Sequence, residues 1–525
     1  MRYSLPSASG RAVIGIAAEM MEHDLEAVTS LRPERTGYKD ADVRVSNLAT
    51  ADATELGEIE GAGIDTAMIK GKPDSFILTT RNGKLYIIGA DDRGTAYGIL
   101  ELSRLAGVSP WVWWNDVTPH GKEHISISDD TNIISVPSVQ YRGIFINDED
   151  WSLHPWSNLT HDPTAPKGSI GAGTYRRIFE LLLRLRANTM WPAMHECTLP
   201  FFFTPGARET ADSFAIAIGT SHCEPLLRNN VGEWDKAVRG PYNFITNRDN
   251  VTAYWTERLI EAGRNENLYT IGMRGIHDGN MEGVKTMDEK VKGLQEVIDA
   301  QRNLLATHVN ADLTSVPQIF VPYKEVLDIM DNGLTIPEDV TLMWCDDNYG
   351  HLTRLSDRDQ QQRPGGAGIY YHLSYWGRPH DYLWLGTTQP GLIYHEMRNA
   401  YDHNARKVWI ANIHDPKTSS YGLELFLDMA WDINSVTASS VETHLKGWLA
   451  REFGAENAES LLHIMKEYYR LCAIRRPEHM GWSQVELSDR KVYPRGRSQV
   501  TDTEFSFTEM GNEADRYLES FKKIA

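Results

Sequence analysis

Cysteine, positive charge and long apolar runs are all scarce in this sequence, and each scarcity removes a class of protein. Only four cysteines occur among 525 residues (Cys197, Cys223, Cys345, Cys472), far apart and with no C-x-x-C pair. Such spacing supports neither a disulfide framework nor a cysteine zinc site. Lys and Arg number 53 against 72 Asp and Glu, a net charge of -19. A surface for phosphates needs clustered cations, so no nucleic-acid partner is expected. No stretch of about 18 apolar residues occurs, so no membrane-spanning helix is expected. The run Val13–Ala18 is short and followed at once by Glu19, which does not read as a signal peptide. Internal repeats, low-complexity tracts and the G-x-S-x-G elbow of many serine hydrolases are missing too.

What is present is that of an ordinary globular protein, with 41% apolar and 24% charged residues. The length exceeds one core and implies two or three domains. Fifteen Trp and 22 Tyr suit sugar faces, although most such rings serve a core. The negative charge sets one condition: an anionic substrate would need a specific cation in its pocket.

Residues 1–135 read as a small α/β domain. Phe76–Thr80 and Lys84–Gly89 alternate around Asn82-Gly83, which predicts a type I′ hairpin. A helix is predicted from about Arg93, with Ala96, Ile99 and Leu100 on one face and Gly107 as its stop. A polar stretch to Asn132 reads as a linker. Residues 136–435 then repeat strand, polar residues, helix. Eight strand runs are predicted: Gly143–Asn147, Thr189–Ala193, Ala215–Thr220, Tyr269–Arg274, Gln318–Tyr323, Thr341–Cys345, Ile369–Leu373 and Val408–Ile413. Eight such units match a (β/α)₈ barrel, which needs about 250 residues; a doubly wound open sheet has the same strand grammar. Residues 436–525 read as a helical domain, with helices over Val441–Phe453 and Ala455–Ala473.

Every strand run ends in polar or ionisable residues. One such end is a loop residue or a helix cap; eight out of eight point to the active-site mouth of a closed barrel. Carboxylate pairs at such a mouth suit glycoside hydrolysis, one carboxyl acting as acid and one as base or nucleophile. A metal-dependent hydrolase would want an His-x-His pair at strand one, and none is there. His277 and Asp278 are adjacent, so at a regular strand end they would diverge rather than chelate. No metal and no cofactor are therefore expected.

Long segments carry a resemblance. Tyr-Arg-Gly-Ile-Phe-Ile-Asn-Asp-Glu (141–149), Asn-Thr-Met-Trp-Pro-Ala-Met-His (188–195), Gly-Thr-Ser-His-Cys-Glu-Pro (219–225) and Gly-Met-Arg-Gly-Ile-His-Asp (272–278) belong to it. So do Val-Pro-Tyr-Lys-Glu-Val (321–326), Trp-Cys-Asp-Asp-Asn-Tyr-Gly (344–350) and Tyr-His-Leu-Ser-Tyr-Trp-Gly-Arg-Pro-His-Asp-Tyr (371–382). Over nearly the whole chain the sequence resembles the α-glucuronidases of glycoside hydrolase family 115. Residues 88–114 resemble that family's N-terminal domain, itself similar to the non-catalytic domain of β-hexosaminidases. The resemblance implies removal of glucuronic acid or its 4-O-methyl ether, α-1,2-linked to xylan or xylo-oligosaccharides, with inversion.

It also implies roles. Glu325, just past strand five, matches the family's catalytic acid, which must hold a proton near neutral pH. Asp278 and Asp148 are both candidates for the base that activates water. Arg274 is the expected receptor of the uronate carboxylate, the alternative being an ion pair with an acidic strand end. His222, His277, Asp346, Asn348, His372 and Tyr375 are expected on ring hydroxyls, with Asn147, Trp191 and His195 completing the substrate-binding set. A secreted or periplasmic enzyme is implied, and a homodimer is left open.

Three features depart from the family's pattern. The chain is expected to begin inside the family's N-terminal domain, without its leader and first strand. It is expected to stop within the helical region, before the family's C-terminal β-sandwich. Strand eight ends Asn-Ile-His-Asp-Pro-Lys (412–417), where a Gly before the Asp and no following Pro are expected. A protein of this fold that binds uronic acid or xylan without turning it over is the second functional class. A β-hexosaminidase-like hydrolase would need Asp-Glu after strand four, where this chain has His277-Asp278.

Overall fold

A computed structural model describes residues 1–8, 10–147, 149–150, 152–375, 385–474, 476–479, 507–508 and 511–525. Asp148, and the part of the strand-seven motif from Trp376 onward, lie outside the described residues.

The first sheet has six strands, in the order Glu34–Arg35, Arg2–Ser4, Val43–Asn47, Lys84–Gly89, Phe76–Arg81, Asn132–Ser135. Its first four strands run parallel and the last two pairings are antiparallel. The predicted hairpin is present, with Asn82 at φ 51° and Gly83 at φ 71°, the two left-handed residues a type I′ turn demands. Alternation then splits its side chains between two faces. Phe76, Leu78, Leu85 and Ile87 join the main core beneath helices Val13–Thr29 and Asp92–Leu105. Ile77, Tyr86 and Ile88 pack with Ile59, Ile64 and Ile69 on the other side. Gly98 lets the second helix sit close, since a Cβ there would lie 2.6 Å from Ile87. The strand Asn132–Ser135 closes the stretch expected to be linker, pairing with Phe76–Arg81.

All eight predicted barrel strands form: Tyr141–Ile146, Thr189–Trp191, Ala217–Ile218, Tyr269–Ile271, Gln318–Phe320, Thr341–Cys345, Ala367–His372 and Val408–Ile413. Every pairing between them is parallel. The circle is completed between strands three and four by the parallel bridge Ile218↔Asn267 and by Leu268 N donating to Ile218 O at 2.9 Å. The doubly wound alternative is thereby excluded, and the fold is a (β/α)₈ barrel. Gly143 permits strands one and two to meet, because a Cβ would fall 1.8 Å from Thr189 O. Phe145, Trp191 and Tyr370 fill the interior, with ring centroids 5.7–5.9 Å apart.

Beneath the barrel a buried polar cluster joins it to the first sheet. Asp74 accepts from Arg93 Nε at 2.6 Å, Arg142 Nη2 at 2.8 Å and Asn188 Nδ2 at 2.6 Å. Burial alone would raise its carboxyl, but the two guanidinia bring it down to about 2. The helices Val441–Phe453 and Ala458–Ile474 follow the barrel. Glu424 ties this region together, accepting from Trp111 Nε1 at 2.7 Å and Arg451 Nη2 at 2.6 Å. No helix among the described residues is long and apolar enough to cross a membrane.

Candidate active site

Inward-facing positions alternate along each barrel strand, so their last members rim the mouth. Strand seven runs Tyr370 to His372 on this face, strand five Ile319, Val321 and on to Tyr323, strand eight Val408, Ile410 and on to Asn412. The result is a wall of rings. His222 lies 4.3 Å from Tyr323, and His372 lies 4.6 Å from Tyr370 and 5.6 Å from Tyr375, centroid to centroid. Beneath them Trp191 is fully buried and forms the floor.

The charged centre comes from strands three, four and five. Arg274 donates through Nε to Glu325 Oε1 at 2.7 Å and through Nη2 to Glu325 Oε2 at 2.8 Å, a bidentate pair. Its Nη1 reaches Asp278 Oδ1, with Cys223 Sγ 3.4 Å away. Asp278 also accepts from Lys324 Nζ, and from His222 Nε2 at 3.3 Å. Burial works against charge on Asp278, yet His222, Lys324 and Arg274 together hold its carboxyl far below the usual range. Burial likewise lowers His222 to about 4, which leaves that imidazole neutral. Helix Glu325–Asp331 starts at Glu325 itself, so the carboxylate sits at a first turn.

Backbone strain gathers at the same place. His277 (φ 56°), Lys324 (φ 50°) and Asn348 (φ 74°) follow three consecutive strands, and all lie in the left-handed region. For Lys and His that conformation is costly and persists where surrounding structure enforces it. His277 stacks on His195 at 5.7 Å, and Asn348 Oδ1 accepts from Tyr323 OH at 2.8 Å. A 230 Å³ cleft opens beside Lys324, between Tyr323, Asp346, Asn348 and Arg354.

Two expected sugar ligands are engaged within the protein. Asp346 is buried, with Oδ1 on His372 Nδ1 at 2.6 Å and Oδ2 accepting from Gly350 N at 2.7 Å. Asp346 Oδ1 also accepts from His372 N at 3.3 Å, and the two bonds together orient that imidazole. His195 Nδ1 is bound to Asp150 Oδ1 at 2.5 Å. Asn147, at the end of strand one, donates its N–H to Ile413 O at 3.1 Å and keeps a half-buried side chain.

Three further residues belong to this mouth and were not singled out from the sequence. Lys324 is the second cation. Its signal was its place in the same matched segment as Glu325. Asn412 is fully buried with both side-chain polar atoms unpartnered; period-two counting from Val408 would have turned it inward. Glu149 is fully buried, accepting from Thr198 Oγ1 at 3.0 Å and from His195 N at 3.2 Å. Burial pushes its carboxyl up to about 7.

Ligand atoms of His222, Cys223 and Asp278 lie within 4.8 Å of one another, as do those of Glu149, Asp150 and His195. In the first group the Arg274 guanidinium already rests on Cys223 and Asp278, so the cation there is the protein's own. In the second, Asp150 is already committed to His195 Nδ1.

Residues 135–479 match the profile of glycosyl hydrolase family 115. A solved structure described as a family 115 4-O-methyl-α-glucuronidase with specificity for decorated arabinogalactans is 46% identical, with a TM-score of 0.90. The match covers 100% of this chain and 67% of that one. A family 138 enzyme targeting pectin rhamnogalacturonan II matches at 12% identity and TM-score 0.54, covering 94% of this chain and 59% of its own. A family 84 structure matches at 14% and 0.53, covering 89% and 73%. These two share the fold alone. The search of curated proteins found no match. The chain belongs to glycosyl hydrolase family 115.

Proposed function

We propose that this glycoside hydrolase is an inverting α-glucuronidase, releasing glucuronic acid or its 4-O-methyl ether α-1,2-linked to xylan or xylo-oligosaccharides. The observation that carries the reading is the placement of Glu325 and Asp278 on two edges of one guanidinium, beside Lys324, at the mouth of the barrel. A uronic acid needs cations in a protein of negative charge, and this is where they stand. Hydrogen-bond lengths alone keep the nearest oxygens of the two carboxyls within about 8 Å. That bound admits an inverting pair (about 6.5–9.5 Å) and a retaining one (about 5–5.5 Å) alike, so the inverting reading rests on the family resemblance.

Glu325 serves as the acid on the leaving oxygen. Asp278, bound by Arg274, Lys324 and His222, is a poor proton acceptor, which favours Asp148 as the water-activating base. Strand one stands four strands from strand five around the circle. His222, His277, Asn348, His372, Tyr375 and Asn147 hold ring hydroxyls.

The test is incubation with aldouronic xylo-oligosaccharides and, separately, with decorated arabinogalactan, the polymer named for the 46% identical enzyme. Proton NMR should show β-glucuronic acid first, equilibrating later by mutarotation. Early α-anomer would overturn inversion, while release from arabinogalactan alone would overturn the xylan assignment. Glu325→Ala should lose at least about 10²-fold in kcat; near-wild-type release would remove Glu325 as the acid. Calorimetric binding without product after long incubation would mark a binding protein instead.

A further inference from the structure

We infer that binding of the uronate carboxylate is coupled to the uptake of one proton, and that Glu325 takes it. The inference rests on the α-glucuronidase reading above. It begins with a count of donors. A guanidinium has five N–H groups. In Arg274, Nε and one Nη2 hydrogen serve Glu325, and Nη2 also faces the Asp278 carbonyl at 3.3 Å. Nη1 serves Asp278 Oδ1 and Cys223 Sγ. No donor is spare, so a substrate carboxylate can reach this cation only by displacing one of its partners.

Charge decides the outcome of that displacement. Among the described residues, Arg274 and Lys324 balance Asp278 and Glu325, and buried His222 is neutral. A uronate adds one negative charge to a balanced, half-buried cluster. Leaving it unpaired is unfavourable in such surroundings, and one bound proton restores neutrality.

The partners differ in how firmly they are held. Asp278 is fixed by Arg274, Lys324 and His222, and by its own carbonyl on Nη2. Glu325 is held among the described residues by Arg274 alone, and its side chain is 26% exposed. Cys223 is buried and occupies a single Nη1 donor, so the edge open to a bidentate carboxylate is the one Glu325 holds, and Glu325 is the partner that yields. Displaced beside two other carboxylates, it takes a proton because like charges cannot all stay ionised together. It then carries the hydrogen that must pass to the glycosidic oxygen when the bond breaks.

The other groups facing it are poor recipients. Asp278 keeps its remaining donors. His222 faces Arg274 and Lys324, and the Cys223 and Tyr323 side chains are already protonated, pushed up by burial. Asp346 is engaged by His372, and Asp347 accepts from the Tyr349 and His351 N–H groups. Asp328, on Glu325's own helix, is exposed to water. The packed helix Met287–His308 makes no described hydrogen bond or ion pair to Glu325. The acid is thus armed by the anionic group of its own substrate, and neutral glycosides leave it locked on Arg274.

The experiment is isothermal titration of D-glucuronic acid at pH 7 in phosphate and in Tris, which differ in ionisation enthalpy. The dependence of heat on buffer should report about one proton taken up per ligand bound. Between pH 7 and 8 the Kd should rise about ten-fold, a readout needing no variant. Glu325→Gln should still bind glucuronate, with uptake and pH dependence near zero. Wild-type binding without uptake, or uptake persisting in Glu325→Gln, overturns the inference. Failure of the wild type to bind glucuronate overturns the α-glucuronidase reading and the inference with it.

Discussion

Two clusters of arginine and carboxylate stand at opposite ends of this barrel, alike in composition and opposite in behaviour. At the bottom, Asp74 joins Arg93, Arg142 and Glu266 at the starts of strands one and four. At the mouth, Glu325 and Asp278 join Arg274 and Lys324 at the ends of strands four and five. Asp74 is 1% exposed and Arg142 fully buried, whereas Asp278 is 37% exposed. The same charge-assisted bonds therefore lock the sheet to the barrel below and stay open to competition above. Solvent access, not residue type, separates a structural ion pair from a reactive one.

Breaking the mouth cluster should have the largest effect. Arg274→Met removes the fork that holds both carboxylates and the proposed uronate receptor. Activity on glucuronides should fall at least about 10³-fold, equivalent to about 4 kcal/mol, measured per folded molecule. A variant that discriminates glucuronides from neutral glucosides as well as wild type would end this role for Arg274.

Breaking the lower cluster should do the reverse. Asp74→Asn leaves Arg142 buried without its charge partner and should cost about 3–5 kcal/mol in urea unfolding, while kcat per folded molecule is kept. Because Asp74 is depressed to about 2 from 3.8, its stabilisation is complete above pH 3.8 and disappears as pH falls toward 2. The gap between wild type and variant should narrow over that window, by about 2 kcal/mol at most.

Glu149 sharpens the contrast, being a buried carboxyl with no guanidinium beside it among the described residues. Its value in the folded protein, about 7, lies above the ordinary 4.5, so its ionisation destabilises the fold increasingly from pH 4.5 to 7. Glu149→Gln cannot ionise and should gain about 3 kcal/mol relative to wild type between pH 5 and pH 8, measured by urea unfolding at each pH. A constant difference across that range would refute the assignment. The smallest effect is expected far from both clusters. Thr286 caps helix Met287–His308 in a capping box with Glu289, and Thr286→Ala should cost about 1 kcal/mol with activity unchanged.

The barrel was legible because alternation and helical period are local properties of the chain. All eight strand runs contain a strand, although Ala215–Thr220 shortens to Ala217–Ile218 and Tyr269–Arg274 to Tyr269–Ile271. The lost residues carry polar ends that leave the ladder for the mouth, which no periodicity records. The strand Asn132–Ser135 escaped notice because four residues at a sheet edge, half exposed, lack a clear pattern. Lys324 and Glu149 were overlooked for a different reason. Each stands beside a more conspicuous carboxylate, and what sets it apart is a bond to a residue 46 to 49 positions away.

By itself the sequence determined the class of fold, the eight strand ends and the family, since these rest on patterns within contiguous segments. It also brought Arg274, Asp278 and Glu325 into view as a set. Only the tertiary structure decided that these three are bonded to one another, that Asp346 is committed to His372, and that Trp191 is fully buried against Phe145 and Tyr370. Pairing and burial depend on distances between loops of different strands, and closure of the barrel at Ile218 and Asn267 is what sets those distances.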